Sequence, residues 1–483
     1  MTQTLDPSAA RTDRNARTER PDHTVNTGAE EFRPGVAERA LAAGARSIGW
    51  IPAPVRSLLS KRNRDGDRLD GDVALSLLSL KLVGGEDISA QTPESARHNV
   101  DRQAYLAGSG GPAVQQVGAV EHRMIAGVRT RIYTPVDPTG PADPAAPAPV
   151  LIYFHGGSFV TGSLDSHDST CRYFCARGRI RVISVDYRMA PEHPFPAPLE
   201  DAVSVVSAAL AGEIPEVDPA GVAIAGDSAG GHLSAITCLR LRQLGLPQPA
   251  LQMLFVPLTD QRPVDVVKEA FPSRREFAEG PYLTEEHFRW YDDAYLGHLA
   301  DGEREDELVS PLLASSLDGL APAYVAVAGH DPLRDEGEAY AARLAEAGVP
   351  TTVRRHGGLV RLRRCPQRGG RRAAPDTECL TRGTLGRTWT YCRTNPARPG
   401  KDMSWHRTTQ PDRGRPSRTP SSMNVSGTRG SPRRRPRGSP TQRRPVRVRR
   451  WGAGEENRPA TTTGRRTSST TARRNSTSTA GHR

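Results

Sequence analysis

The chain has 483 residues, enough for one large domain with appendages, and a formal net charge of +12. That charge is unevenly divided: residues 361–483 hold 30 Arg and one Lys against six acidic residues, a net of +25, whereas residues 1–360 carry −13. No run approaches the ~18 apolar residues of a membrane span, and the polar segment 1–26 lacks the apolar core of a secretory signal, so a cytoplasmic chain is expected.

Residues 1–30, rich in Thr, Arg, Asp and Pro, read as a disordered leader. In the region 31–114, Val36 to Ile48 and Leu69 to Leu82 carry apolar residues at helical spacing, and Pro93 to Arg97 looks like a helix start. Gln115 to Ile125 and Val128 to Tyr133 alternate around Gly127, which predicts a hairpin. Pro141 to Pro149 is a Pro/Ala linker. From Val150 onward short apolar runs alternate with helical stretches. The runs are Val150–Phe154, Arg181–Asp186, Gly221–Ala225, Leu251–Val256 and Ala323–Ala328, with Thr351–Arg355 as one more. The helices are Pro198–Leu210, Ala229–Leu244 and Glu336–Ala347, so residues 115–360 are expected to build a mostly parallel sheet with helical crossovers. Cys171 and Cys175 stand four apart in a predicted helix with no second His or Cys pair; with Cys238 they read as free thiols, and no metal is expected.

Chemistry concentrates where strands end. Val222 to Ala225 runs into Gly226-Asp227-Ser228-Ala229-Gly230, and a helix follows. That order makes a sharp turn with Ser228 at its apex and the Ala229 N–H at a helix N-terminus, where it could bind an oxyanion. The strand Val150–Phe154 likewise ends in His155-Gly156-Gly157-Ser158. Consecutive glycines there let the Gly156 and Gly157 N–H groups face a cavity, giving with Ala229 a three-donor oxyanion hole.

These segments resemble the hormone-sensitive-lipase-like, bacterial carboxylesterase branch of the α/β-hydrolases. So do Asp186-Tyr-Arg-Met-Ala-Pro-Glu-His-Pro-Phe-Pro-Ala197, Ser310-Pro-Leu312 and Asp331-Pro-Leu-Arg-Asp-Glu-Gly337. The resemblance covers roughly residues 90 to 360. It implies an α/β-hydrolase fold, a cap to which helices before residue 115 contribute, no cofactor, and a small-molecule acyl ester, short-chain by preference, as substrate. It also implies Ser228 as nucleophile and Asp331 as triad acid. Asp335 is the rival, read as a helix cap, and Asp186 is read as part of a structural ion pair.

One member is absent. The resemblance puts the base, the His of a His-Gly-Phe run, about 30 residues past the acid, because the serine needs a base within hydrogen-bond reach. Val353 to Val360 fits the lead-in, but position 361 is Arg and the run reads Arg361-Leu362-Arg363-Arg364. From there Ile and Phe vanish and Arg replaces Lys almost entirely, as in a GC-rich frame not selected to encode protein. Codons CAC-GGC-TTC-GCC-GC for His-Gly-Phe-Ala, stripped of two bases, read CGG-CTT-CGC-CGC, which is Arg-Leu-Arg-Arg. A frameshift after Val360 is therefore expected, with 361–483 a disordered tail and activity strongly impaired. Replacement bases considered are His356, His406 and His482; His232 and His193 read as structural or pocket residues. The alternatives are a ligand-binding pseudoenzyme, or non-specific polyanion binding by the basic tail, which would collapse with salt. No specific nucleic-acid partner is expected, since the tail offers few aromatics for base stacking.

Overall fold

A computed structural model describes residues 32–36, 38–39, 56–83, 87–106, 115–136, 146–280 and 282–360. The leader 1–30, most of the helix expected at Val36–Ile48, most of the linker, the tail with Arg361, His406 and His482, and Cys365, Cys379 and Cys392 lie outside the described residues.

Eight strands form one sheet: β1 (Ala119–Ile125), β2 (Val128–Thr134), β3 (Ala148–Phe154), β4 (Arg181–Val185), β5 (Val217–Asp227), β6 (Leu251–Phe255), β7 (Ala323–Ala328) and β8 (Thr351–His356). Their spatial order is β1-β2-β4-β3-β5-β6-β7-β8. The pairs β1–β2 and β2–β4 are antiparallel and all others parallel. The continuous apolar runs follow from this: parallel strands are covered on both faces, so neither side chain parity can be polar. In β3, Val150, Ile152 and Phe154 enter the larger core, while Leu151 and Tyr153 enter a smaller one on the opposite face. Each large side chain so buried contributes about 1.5–3 kcal/mol.

Helix α1 (Gly71–Val83) and α2 (Pro93–Ala104) precede the sheet; α3 (Asp168–Gly178) and α4 (Ala197–Leu210) flank β4; α5 (Ala229–Gln243) follows β5. The segment between β6 and β7 holds α6 (Val264–Ala270), α7 (Pro272–Glu276) and α8 (Glu285–Leu296), and α9 (Arg334–Glu346) joins β7 to β8. The larger core receives residues of α4, α5 and α9, such as Val205, Leu233 and Tyr340; the smaller receives Cys171 and Cys175 from α3. The three described cysteines are buried free thiols, and burial pushes each up to about 12.

The three helices between β6 and β7 were not foreseen from sequence. Helix α8 carries a capping box at Thr284 and His287, and Phe288, Tyr291 and Tyr295 recur at helical spacing. The N-terminal segment docks at the end of the sheet. Asn63 Nδ2 donates to the Gly329 carbonyl at 2.8 Å, Asp70 N donates to the Gly358 carbonyl at 2.8 Å, and Leu69, Ala74 and Leu77 pack with Val360. Helix α2, capped by Thr92, is tied by Arg97 to the loops after β3 and β4, where it donates to the Val160 and Ala190 carbonyls respectively.

Candidate active site

Parallel strands place their carboxyl ends along one edge, and ligands of open α/β sheets bind there. β5 delivers Ser228 to that edge and β7 delivers Asp331. Ser228 sits between strand and helix at φ 57°, ψ −118°, a conformation a non-glycine residue holds only when its surroundings enforce it. The enforcement is visible: Ser228 N donates to the Phe255 carbonyl of β6 at 2.8 Å, and the Ser228 carbonyl accepts from His232 N at 2.9 Å. Gly230 is required by close approach, because a Cβ there would run into the Phe154 carbonyl of β3.

The loop after β3 lies against this turn through Asp227. Asp227 Oδ1 accepts from Tyr153 OH at 2.8 Å and from Gly156 N at 3.0 Å, and His167 Nε2 lies 3.1 Å away. The residue before Ser228 therefore fixes the glycine loop, a tie the sequence pattern did not reveal. It also commits the Gly156 N–H, expected as an oxyanion donor, to a carboxylate. The amides of Gly157, Ser158 and Ala229 have no acceptor among the described residues. Gly157 at φ 126° brings its backbone against Thr161, where a side chain would collide. His155 stacks on Tyr187 with ring centroids 4.4 Å apart, and burial, reinforced by His167, holds it down to about 3.

Ser228 and Asp331 line one cleft with His330, Phe277, Leu333 and Val360. Both residues are almost fully buried, at 4% exposure. Asp331 Oδ1 accepts from Leu333 N at 2.8 Å. Val360, the last described residue before Arg361, reaches this cleft, so the chain enters the region beyond 360 from beside the serine and the acid.

The rivals fall elsewhere. Asp335 accepts from Ser273 N of α7 at 2.7 Å and from Arg334 Nε at 2.8 Å, so it ties a neighbouring helix rather than capping its own; α9 has no side-chain cap. Asp186 pairs with Arg129 at 2.8 Å, while Arg188 turns to Asp201. His232 is buried, bonded to the Leu258 carbonyl at 2.9 Å, and held down to about 4 by burial. His356 ends β8, its carbonyl accepting from Gly329 N and Leu359 N, and it does not line the cleft; neither does His193. His330, which the sequence reading passed over, does line it. No cluster of His, Cys, Asp or Glu that could hold a metal, and no helix long and apolar enough to cross a membrane, occurs among the described residues.

A family model described as the alpha/beta hydrolase fold matches residues 151–361. The chain is 37% identical over 348 residues to the carboxylic ester hydrolase LipN of Mycobacterium tuberculosis, covering 70% of this chain and 89% of that protein. It is 42% identical over 234 residues to the esterase LipI of the same organism, covering 48% and 70%. A crystal structure of a serine-to-alanine mutant of LAE6, an alpha/beta hydrolase enzyme from the metagenome of Lake Arreo, superposes with a TM-score of 0.55 at 37% identity; 61% of this chain and 90% of that one are covered.

Proposed function

The chain belongs to the α/β-hydrolase fold family, in its hormone-sensitive-lipase-like carboxylesterase branch, and from that premise we propose that it hydrolyses carboxylic esters through Ser228. The observation that carries this reading is the enforced backbone of Ser228 at the mouth of a cleft shared with Asp331. Ser228 Oγ attacks the acyl carbon, and the oxygen that becomes negative is met by amides on two sides: Ala229 from the start of α5, and Gly157 with Ser158 from the loop after β3. Gly156 acts as the strut that holds this loop, its N–H already given to Asp227. The cleft walls, Phe277, Leu283, Val256 and Leu333, are apolar and close in, which favours a short acyl group.

Turnover of the chain as it stands is reduced, because Arg occupies the position where the family keeps its triad histidine. Loss of one triad member costs on the order of 10⁴-fold or more, with the oxyanion hole and binding supplying the remainder. The match to the family model ends at residue 361, where the composition breaks, which supports a shift of reading frame at that point.

Hydrolysis of p-nitrophenyl acetate tests the nucleophile. The Ser228→Ala variant is expected to lose all turnover above the buffer rate while keeping its thermal unfolding midpoint. Equal rates for variant and parent would remove Ser228 from the chemistry.

A further inference from the structure

A serine elbow and an oxyanion loop without a base leave a cleft whose chemistry is incomplete, and the described residues hold one group fit to complete it. Thirteen histidines occur in the sequence, and of those in the described residues only His330 lines the cleft of Ser228. Its Nδ1 lies 2.9 Å from the Gly357 carbonyl. A carbonyl can only accept, so Nδ1 carries the hydrogen and the neutral ring keeps its lone pair on Nε2. That Nε2 is buried and, like His155 Nε2, has no hydrogen-bond partner among the described residues; of these two rings only that of His330 lines the cleft. The ring is also held in place: it packs against Phe277 at 6.1 Å between centroids, and the His330 amide donates to the Leu359 carbonyl at 2.9 Å.

We propose that His330 is the general base of this chain, taking the Ser228 proton in place of the histidine that position 361 lacks. The inference rests on Ser228 being the nucleophile. The two side chains make no direct hydrogen bond and Nε2 is shielded from solvent, so the proton passes directly when substrate binding brings Oγ against Nε2, catalytic hydrogen bonds commonly tightening in the substrate complex. As the Oγ–carbon bond forms, the carbonyl π pair moves onto oxygen, and the Oγ proton passes to Nε2. Collapse of the tetrahedral adduct breaks the bond to the alcohol oxygen, which takes the proton back from Nε2. A water then repeats both transfers and frees Ser228. The Gly357 carbonyl orients the ring as a triad carboxylate would, but as a neutral dipole it stabilises the imidazolium less, so this base works more slowly.

The test uses the full chain and diethyl p-nitrophenyl phosphate. Release of p-nitrophenolate reports Oγ–phosphorus bond formation, and mass spectrometry of the Ser228 peptide locates it. His330→Asn keeps a donor where Nδ1 stands and removes Nε2, so the fold should survive, as its thermal midpoint will report. His330→Asn is expected to slow Ser228 phosphorylation on the order of 100-fold, and free imidazole to restore the rate of His330→Ala. Ser228 labelling in folded His330→Asn within about twofold of the parent rate overturns the role of His330 alone, given general-base effects of this size. A parent chain labelled no faster than Ser228→Ala overturns the nucleophile as well.

Discussion

The backbone fixes Ser228 in its turn, and burial keeps the neighbouring histidines His155 and His232 neutral. His155 and His232 are both fully buried and held at about 3 and about 4, below the ordinary imidazole value of 6.5. Unfolding exposes both rings, so between pH 6.5 and about 4 the unfolded chain binds protons that the native chain refuses. Stability contributed by these rings is therefore full above pH 6.5 and is lost as pH falls towards the folded values. Replacing one ring should flatten that dependence: His232→Asn, which keeps a donor towards the Leu258 carbonyl, is expected to lower the slope between pH 5 and 6 by about one proton, or about 1.4 kcal/mol per pH unit. Urea unfolding at several pH values measures it, and an unchanged slope would contradict the neutral assignment of this ring. At this scale Ser228 and Asp331 were legible in the sequence because their motifs dictate local geometry. His330 was not, since what fixes its tautomer is a carbonyl 27 residues further on.

The turn from β5 to α5 is the element on which the site depends. Its two flanking glycines are demanded by a neighbouring strand: at Gly230 any side chain meets the Phe154 carbonyl, the last residue of β3 before the oxyanion loop. Gly230→Ala must push β3 and α5 apart, and overpacking of this kind typically costs about 1–3 kcal/mol. The same displacement moves the amides of Gly157 and Ala229 relative to each other. A lower urea midpoint at unchanged m-value, together with slower Ser228 labelling, is expected; wild-type behaviour in both would show that the contact relaxes freely. The strands and the flanking helices of the sheet could be read from apolar periodicity. The three helices between β6 and β7 could not, although α8 carries a cap and an apolar stripe, because their faces are amphipathic only with respect to partners that the tertiary fold supplies, such as Phe288 beneath Arg274.

At the scale of the molecule, the sheet of the described residues ends at an exposed strand. β8 is the sheet's edge, and Val353 on it is 45% exposed although it stands opposite Val325, which is fully buried. The described chain thus stops with its last strand incompletely covered, at the residue where the composition breaks. Restoring a His-Gly-Phe frame from position 361 is expected to raise ester turnover by on the order of 10⁴-fold, the size of a triad contribution. It should also raise the unfolding midpoint, since a strand face gains cover. Sequencing the DNA across the codons for Leu359 to Arg364 checks the premise: a gene with no alternative His-Gly-Phe frame rules out the shift.

The amino-acid sequence by itself determined the alternation of strands with the helices that flank the sheet, the turn that carries Ser228 and the place of Asp331 after β7, because each is set by residue types within a few positions of one another. It also showed, by simple absence, that the family's histidine is missing. Only the tertiary structure decided that Asp227 commits the Gly156 amide, while those of Gly157, Ser158 and Ala229 find no acceptor among the described residues. It alone brought His330 into the cleft of Ser228, and it turned Asp335 towards Ser273 and Asp186 towards Arg129. The reason is common to all four. Hydrogen bonds and burial are satisfied by partners brought together in space, and the partner that a buried polar atom finds is fixed only when distant strands are laid side by side.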